Sequence, residues 1–194
     1  MPYLLYLAIL TACTLSSLAR PEPAHADAQV SARNMLEIGK RTAAAGDKVI
    51  AAVGLRADVT FGRAKPNAFR IGPAIEFRTA NFATLEAAGG GALLIPTIGE
   101  CPLGLYGLVG AAARMHGPDG LVGIGTVTWG FRSYAYDEAW YGYGLNLFAS
   151  YRKHLGNESL YELTGGIEVD MMFTTLIPGA AIYNLIKGGD PHEN

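Results

Sequence analysis

From Lys48 onward the chain repeats one pattern, an alternation of apolar residues with polar or small ones at a period of two. In "VIAAVGLRADVTFG" one set is Val49, Ala51, Val53, Leu55, Ala57, Val59 and Phe61, and the other includes Gly54, Arg56, Asp58 and Thr60. "FRIGPAIEFRT" sets Phe69, Ile71, Ile75 and Phe77 against Arg70, Glu76 and Arg78. "EAWYGYGLNLFASYRK" sets Tyr141, Tyr143, Leu145, Leu147, Ala149 and Tyr151 against Gly142, Gly144, Asn146, Phe148, Ser150 and Arg152. Four further stretches follow the same rule. "TLEAAGGGALLI" carries Glu86 on its polar side and "LGLYGLVGAAAR" carries Arg114. "LVGIGTVTWGFR" sets Trp129 against Arg132, and "LYELTGGIEVDMMF" sets Tyr161 against Glu162, Glu168 and Asp170. Side chains alternate across a strand, so a strict period of two describes strands whose faces meet two different environments.

The alternation breaks at "RAKPNA", "RTAN", "PTIGECP", "MHGPDG", "SYAYDEA" and "HLGNES", where Pro, Gly, Asn and Asp collect. Consecutive strands with short links make an antiparallel up-and-down meander. The expectation is an all-β barrel of about eight strands over residues 48–187. Its last strand would come from residues 177–188, where Pro178 and Gly179 interrupt the pattern and a short C-terminal helix is the alternative. Residues 27–47 include "SARNMLEIGKRTAAAG", which has helical propensity and a stop at Gly46, and read as a short helix or flexible lead-in. Residues 188–194 form a polar tail.

Alternation does not say which face meets water. The chain is 50% hydrophobic and 16% charged, against roughly a quarter charged in ordinary soluble domains. Lys40, Lys48, Lys65, Lys153 and Lys187 all fall at strand ends or outside strands. The polar faces instead use Arg56, Arg70, Arg78, Arg114, Arg132 and Arg152, matched by Asp58, Glu76, Glu86, Glu162, Glu168 and Asp170. Arg suits buried ion pairs better than Lys, and buried charges need partners. The polar face therefore points into a closed interior as an ion-pair network, and the apolar face points out. Tyr141 to Tyr151 then spans about 33 Å along a strand, or roughly 25 Å along the axis at a tilt of about 40°, the height of an outer-membrane barrel's apolar band. Tyr141, Tyr143, Tyr151, Trp129 and Tyr161 read as aromatics at the two membrane interfaces.

The N-terminus reads as an export signal. "YLLYLAILTACTLSSLA" is an apolar core, and Ala24-His25-Ala26 is a small-x-small cleavage site. "LTAC", which would acylate Cys13, is the alternative. Cleavage after Ala26 leaves Cys101 without a partner for an internal disulfide.

The export signal, the alternation and the aromatic strand ends resemble the small outer-membrane β-barrel proteins of bacteria, over about residues 48–186. The resemblance implies insertion by the outer-membrane assembly machinery and contact with outer-membrane lipid. It also implies a periplasmic start to the barrel. "RTAN", "MHGPDG" and "HLGNES" would then face the periplasm, and "RAKPN", "PTIGECP" and "SYAYDEA" the outside. The chain departs from such proteins at its end, "KGGDPHEN", where they commonly finish on an aromatic residue.

A net charge of −2 gives no basic patch for nucleic acid. Catalytic patterns are sparse. His25 lies in the signal, His116 and His154 in expected turns, and His192 in the tail. His154 near Ser150 imitates a nucleophile pair, and Glu168 with Asp170 imitates a carboxylate pair, but a solvated His and arginine-paired carboxylates are the plainer readings. "GGG" at 89–91 lacks the strand-turn-helix setting of a phosphate loop. No catalytic residue, cofactor or metal is expected. The favoured function is a non-enzymatic outer-membrane barrel with a charge-plugged lumen, structural or a very narrow conduit. A soluble periplasmic lipocalin-like barrel and an outer-membrane lipid hydrolase or acyltransferase are the alternatives. The sequence leaves the oligomeric state open.

Overall fold

The computed structural model describes residues 28–43, 46–63, 68–98, 101–114, 120–133, 141–156, 160–176 and 179, without the side chains of Arg114 and Leu176. The expected signal, the polar tail and nearly all of 177–188 lie outside them. Eight strands follow one another: β1 (Ala28–Thr42), β2 (Lys48–Phe61), β3 (Arg70–Ala80), β4 (Thr84–Ile98), β5 (Cys101–Arg114), β6 (Gly120–Arg132), β7 (Gly144–Leu155) and β8 (Tyr161–Asp170). Each pairs antiparallel with the next, and β8 pairs antiparallel with β1, so the sheet is a closed barrel. Closure removes every sheet edge.

The lead-in expected at 27–47 is instead the first strand. Its helix formers lose to pairing on both edges: β1 runs in register with β2 from Ala28↔Phe61 to Arg41↔Lys48 and with β8 from Arg33↔Asp170 to Thr42↔Tyr161. Tertiary pairing routinely overrides propensity. The period of two is present but blurred by side-chain type. Met35 lies inside and Asn34 outside, while Gln29, Arg33 and Glu37 follow the polar-inside rule. The eight strands thus end at Asp170 without needing residues 177–188, and a single π-helical turn, Met172–Leu176, follows.

An extra first strand inverts the order of the ends. The links 62–69, 99–100 and 133–143 lie at the end where β1 enters and β8 leaves, and 43–47, 81–83, 115–119 and 156–160 lie at the far end. "RTAN" therefore sits opposite the barrel's start, the reverse of the expected assignment.

Neighbouring backbones approach closely at two inward glycines. A Cβ on Gly72 would lie 1.9 Å from the Val59 carbonyl oxygen, and one on Gly166 would lie 2.0 Å from that of Leu36. The interior is also divided. Beside β3 to β6, Ala74, Ala88, Ala92, Tyr106, Leu108, Val122 and Ile124 form a buried apolar cluster. Buried arginine and carboxylate side chains lie elsewhere in the interior.

Candidate functional site

Among the described side chains, inward positions on seven of the eight strands carry charge into the barrel, and the ion pairs join into one chain. At the end where β1 enters, Arg132 Nη2 lies 2.8 Å from Asp58 Oδ1. Asp58 also pairs with Arg33, whose Nη1 lies 3.1 Å from Glu168 Oε2. Glu168 pairs with Arg56, and Arg56 Nη2 lies 2.6 Å from Glu76 Oε2. The other oxygen of Glu76 is 2.6 Å from Arg152 Nη2. Arg152 faces Glu37 and Glu86 at 3.6 and 3.7 Å. Both of these pair with Arg78, which lies 2.9 Å from Glu162 Oε2. Glu162 Oε1 completes the chain with Arg41 at 2.5 Å and the His154 ring at 3.6 Å. Among the described side chains, β5 contributes a phenol. Arg33 donates to the Tyr106 oxygen at 2.7 Å, and that hydroxyl donates to Asp58 at 3.1 Å. The Arg56 guanidinium stands 4.8 Å from the Tyr106 ring centroid and 5.6 Å from that of Phe148.

Of the residues singled out from sequence, Arg56, Asp58, Glu76, Arg78, Glu86, Arg132, Arg152, Glu162 and Glu168 meet in this chain. Arg70 is buried and donates to Thr60 Oγ1 and to the carbonyls of Thr60, Gly62 and Arg63. Asp170 accepts from the Tyr141 hydroxyl at 3.0 Å and from the Met172 amide at 2.7 Å. Arg114 belongs to β5, and its side chain is not described. Arg33, Glu37 and Arg41 were hidden by the helical reading of β1. Their spacing of four puts them on one helix face and equally on one strand face, so spacing alone does not separate the two. His154 was placed in a turn, but it lies in β7 with its side chain turned inward and buried.

The chemistry imitated in sequence is not assembled. The Ser150 hydroxyl is engaged by Thr126 at 2.9 Å and Arg152 at 3.3 Å, while His154 faces Glu162. Glu168 is held by Arg33 and Arg56 and does not share a site with Asp170. Glu86, His154 and Glu162 bring ligand-type atoms within 4.8 Å of one another. Arg41, Arg78 and Arg152 surround them, so a divalent cation there would add charge to a group already neutralised by guanidinium. This favours ion pairing over metal binding.

The outer wall is apolar. Leu147 is 60% exposed, while its neighbour Asn146 is 4% exposed and turned inward. Aromatic rings gather at both ends. Tyr143 lies 6.1 Å from Phe131 at the end where β1 enters, and Tyr151 lies 6.1 Å from Tyr161 at the far end. Trp129 is half exposed on the same wall. Tyr141 departs from the expectation. β7 begins at Gly144, and Tyr141 instead bridges Val30 beyond the end of β8, with its hydroxyl 3.1 Å from the Ala32 carbonyl and against Asp170. Burial and the Asp170 carboxylate push this phenol well above its usual range.

No family model matches the chain, and no curated protein is similar to it at a significant level. Among solved structures, the crystal structure of Neisserial surface protein A is similar over 74% of this chain and 99% of that one, with 15% identity and a TM-score of 0.42.

Proposed function

We propose that the chain is a non-enzymatic barrel of the bacterial outer membrane whose lumen is plugged by its own ion pairs, serving as a structural wall or as a conduit too narrow for solutes beyond small ions. One observation carries this reading: the charges are inside and the large apolar side chains outside. Arg56, Arg152, Glu162 and Glu168 have no solvent exposure, while Leu36, Ile38, Leu147 and Leu163 are each more than half exposed. In water that arrangement exposes the surface folding should bury. In lipid it places apolar side chains against acyl chains and leaves every backbone donor paired within the sheet.

The aromatic clusters support it. Tyr143 and Tyr151 are separated by about 26 Å of strand, or roughly 20 Å of axis at a tilt of about 40°, close to the apolar band of such barrels. The lipocalin-like alternative calls for an apolar ligand cavity, whereas here guanidinium and carboxylate groups fill the interior beside the apolar cluster. The hydrolase alternative loses its Ser150–His154 pair to other partners.

The test is conductance of the purified, refolded protein in planar bilayers, with heat-modifiable gel migration as the check on folding. Folded protein should give no stable large channel. Long-lived openings of porin size would overturn the plug, and recovery of the protein in the soluble periplasmic fraction would overturn the membrane assignment.

A further inference from the structure

The chain does not stop being ordered where β8 ends. After Asp170 it makes a turn on the outside of the barrel, at the end where β1 enters. Met171, Met172 and Phe173 expose 39%, 42% and 47% of their surface. Phe173 meets the Tyr143 ring edge-on at 5.8 Å, and Tyr143 in turn meets Phe131. The turn thus extends the aromatic cluster at that end of the wall.

Its polar groups bond within the turn and to β1. The Met172 amide donates to Asp170 Oδ1 at 2.7 Å. The Thr174 hydroxyl lies 3.3 Å from the Asp170 carbonyl, and the Thr175 hydroxyl donates to the Met171 carbonyl. Asn34, a polar side chain on the outer face of β1, donates to Thr174 Oγ1. A turn in water has no need of such internal pairing, because water serves its groups. A turn at the edge of hydrocarbon does need it. The exposed Met171, Met172 and Phe173 adjoin the apolar wall, which Phe173 meets through Tyr143.

We infer that residues 171–176 are a membrane-interface foot, seated at the boundary between lipid headgroups and acyl chains, with Phe173 as its anchor. The occupant of this surface is lipid. The inference rests on the membrane reading of the barrel, whose lipid-facing wall the turn continues. Aromatic rings prefer that boundary because one side of the ring is wet and the other apolar. Methionine suits it because its flexible side chain adapts to an irregular surface.

Depth-dependent fluorescence quenching tests this in the full chain. Trp129 and Trp140 are replaced by Phe, and a single Trp is placed either by Phe173→Trp or, as the reference on the wall, by Leu147→Trp. Each protein is refolded into phosphatidylcholine vesicles carrying bromine either just below the headgroup or near the bilayer centre. The Trp from Phe173→Trp should emit at a blue-shifted wavelength and be quenched several-fold more by the shallow bromine. The Trp from Leu147→Trp should be quenched more by the deep one. If Leu147→Trp is quenched and Phe173→Trp is not, the foot falls while the membrane reading stands. If neither is quenched, the membrane reading falls with it. Blue-shifted but unquenched emission from Phe173→Trp means that protein, such as a second copy, covers the turn, and this also overturns the inference. Should Phe173→Trp fail the heat-modifiability check, Met172→Trp takes its place with the same outcomes.

Discussion

The Arg152 guanidinium on β7 lies 2.6 Å from the Glu76 carboxylate on β3, across the barrel, while its register neighbour on the next strand is Glu162. The ion pair therefore ties together strands that share no backbone hydrogen bond. Glu162, Glu168 and Asp170, the carboxylates of the neighbouring strand β8, bind other groups.

Arg152→Ala should cost about 3–5 kcal/mol, since it leaves Glu76 buried with half its partners gone. Urea unfolding from lipid or detergent measures this. Lys40 and Asp47 stand equally close, at 2.6 Å, but both are largely exposed, and Lys40→Ala should leave the unfolding midpoint unchanged. A silent Arg152→Ala would remove the buried network as a source of stability.

Leu147 separates lipid contact from core packing. Leu147→Arg should cost about 2–4 kcal/mol, the range for a cation near the midplane of a membrane barrel. That loss alone does not distinguish a lipid face from a soluble core. Leu147→Phe does, because a lipid face has no fixed cavity to overfill and the change should be nearly silent. In a close-packed core the same change costs about 1–3 kcal/mol, a loss the same unfolding curves would reveal.

Two kinds of glycine should answer differently to alanine. A Cβ on Gly72 would collide with the Val59 carbonyl oxygen at 1.9 Å, whereas one on Gly107 meets nothing within 4 Å. Gly72→Ala should lower stability by about 1–3 kcal/mol or prevent refolding. Gly107→Ala should be neutral or gain up to about 1 kcal/mol by restricting the unfolded chain. Refolding yield and unfolding midpoint read both.

An even number of strands puts the start of β1 and the end of β8 on the same side of the barrel. With the barrel's start periplasmic, as in the proteins it resembles, a cysteine at Ala83→Cys should label in intact cells. One at Asn67→Cys should label only after the outer membrane is permeabilised. The opposite pattern would place the longer links 62–69 and 133–143 outside, where outer-membrane barrels usually carry their longer loops.

The sequence by itself determined the strands from β2 to β8, their antiparallel order and the inward set of charges, because one side-chain period records two environments whatever surrounds them. Arg56, Glu76, Arg78 and Glu168 were legible as one face from that period, and the use of Arg in place of Lys with matching carboxylates pointed that face inward. Two things needed the tertiary structure. β1 is a strand because β2 and β8 pair with both its edges; Met35 and Asn34 obscure its period, and its local propensity is helical. The pairing of the charges also needed the closed barrel. Curvature and stagger bring Arg152 to Glu76, and a distance across the barrel leaves no trace in the order of residues along a strand.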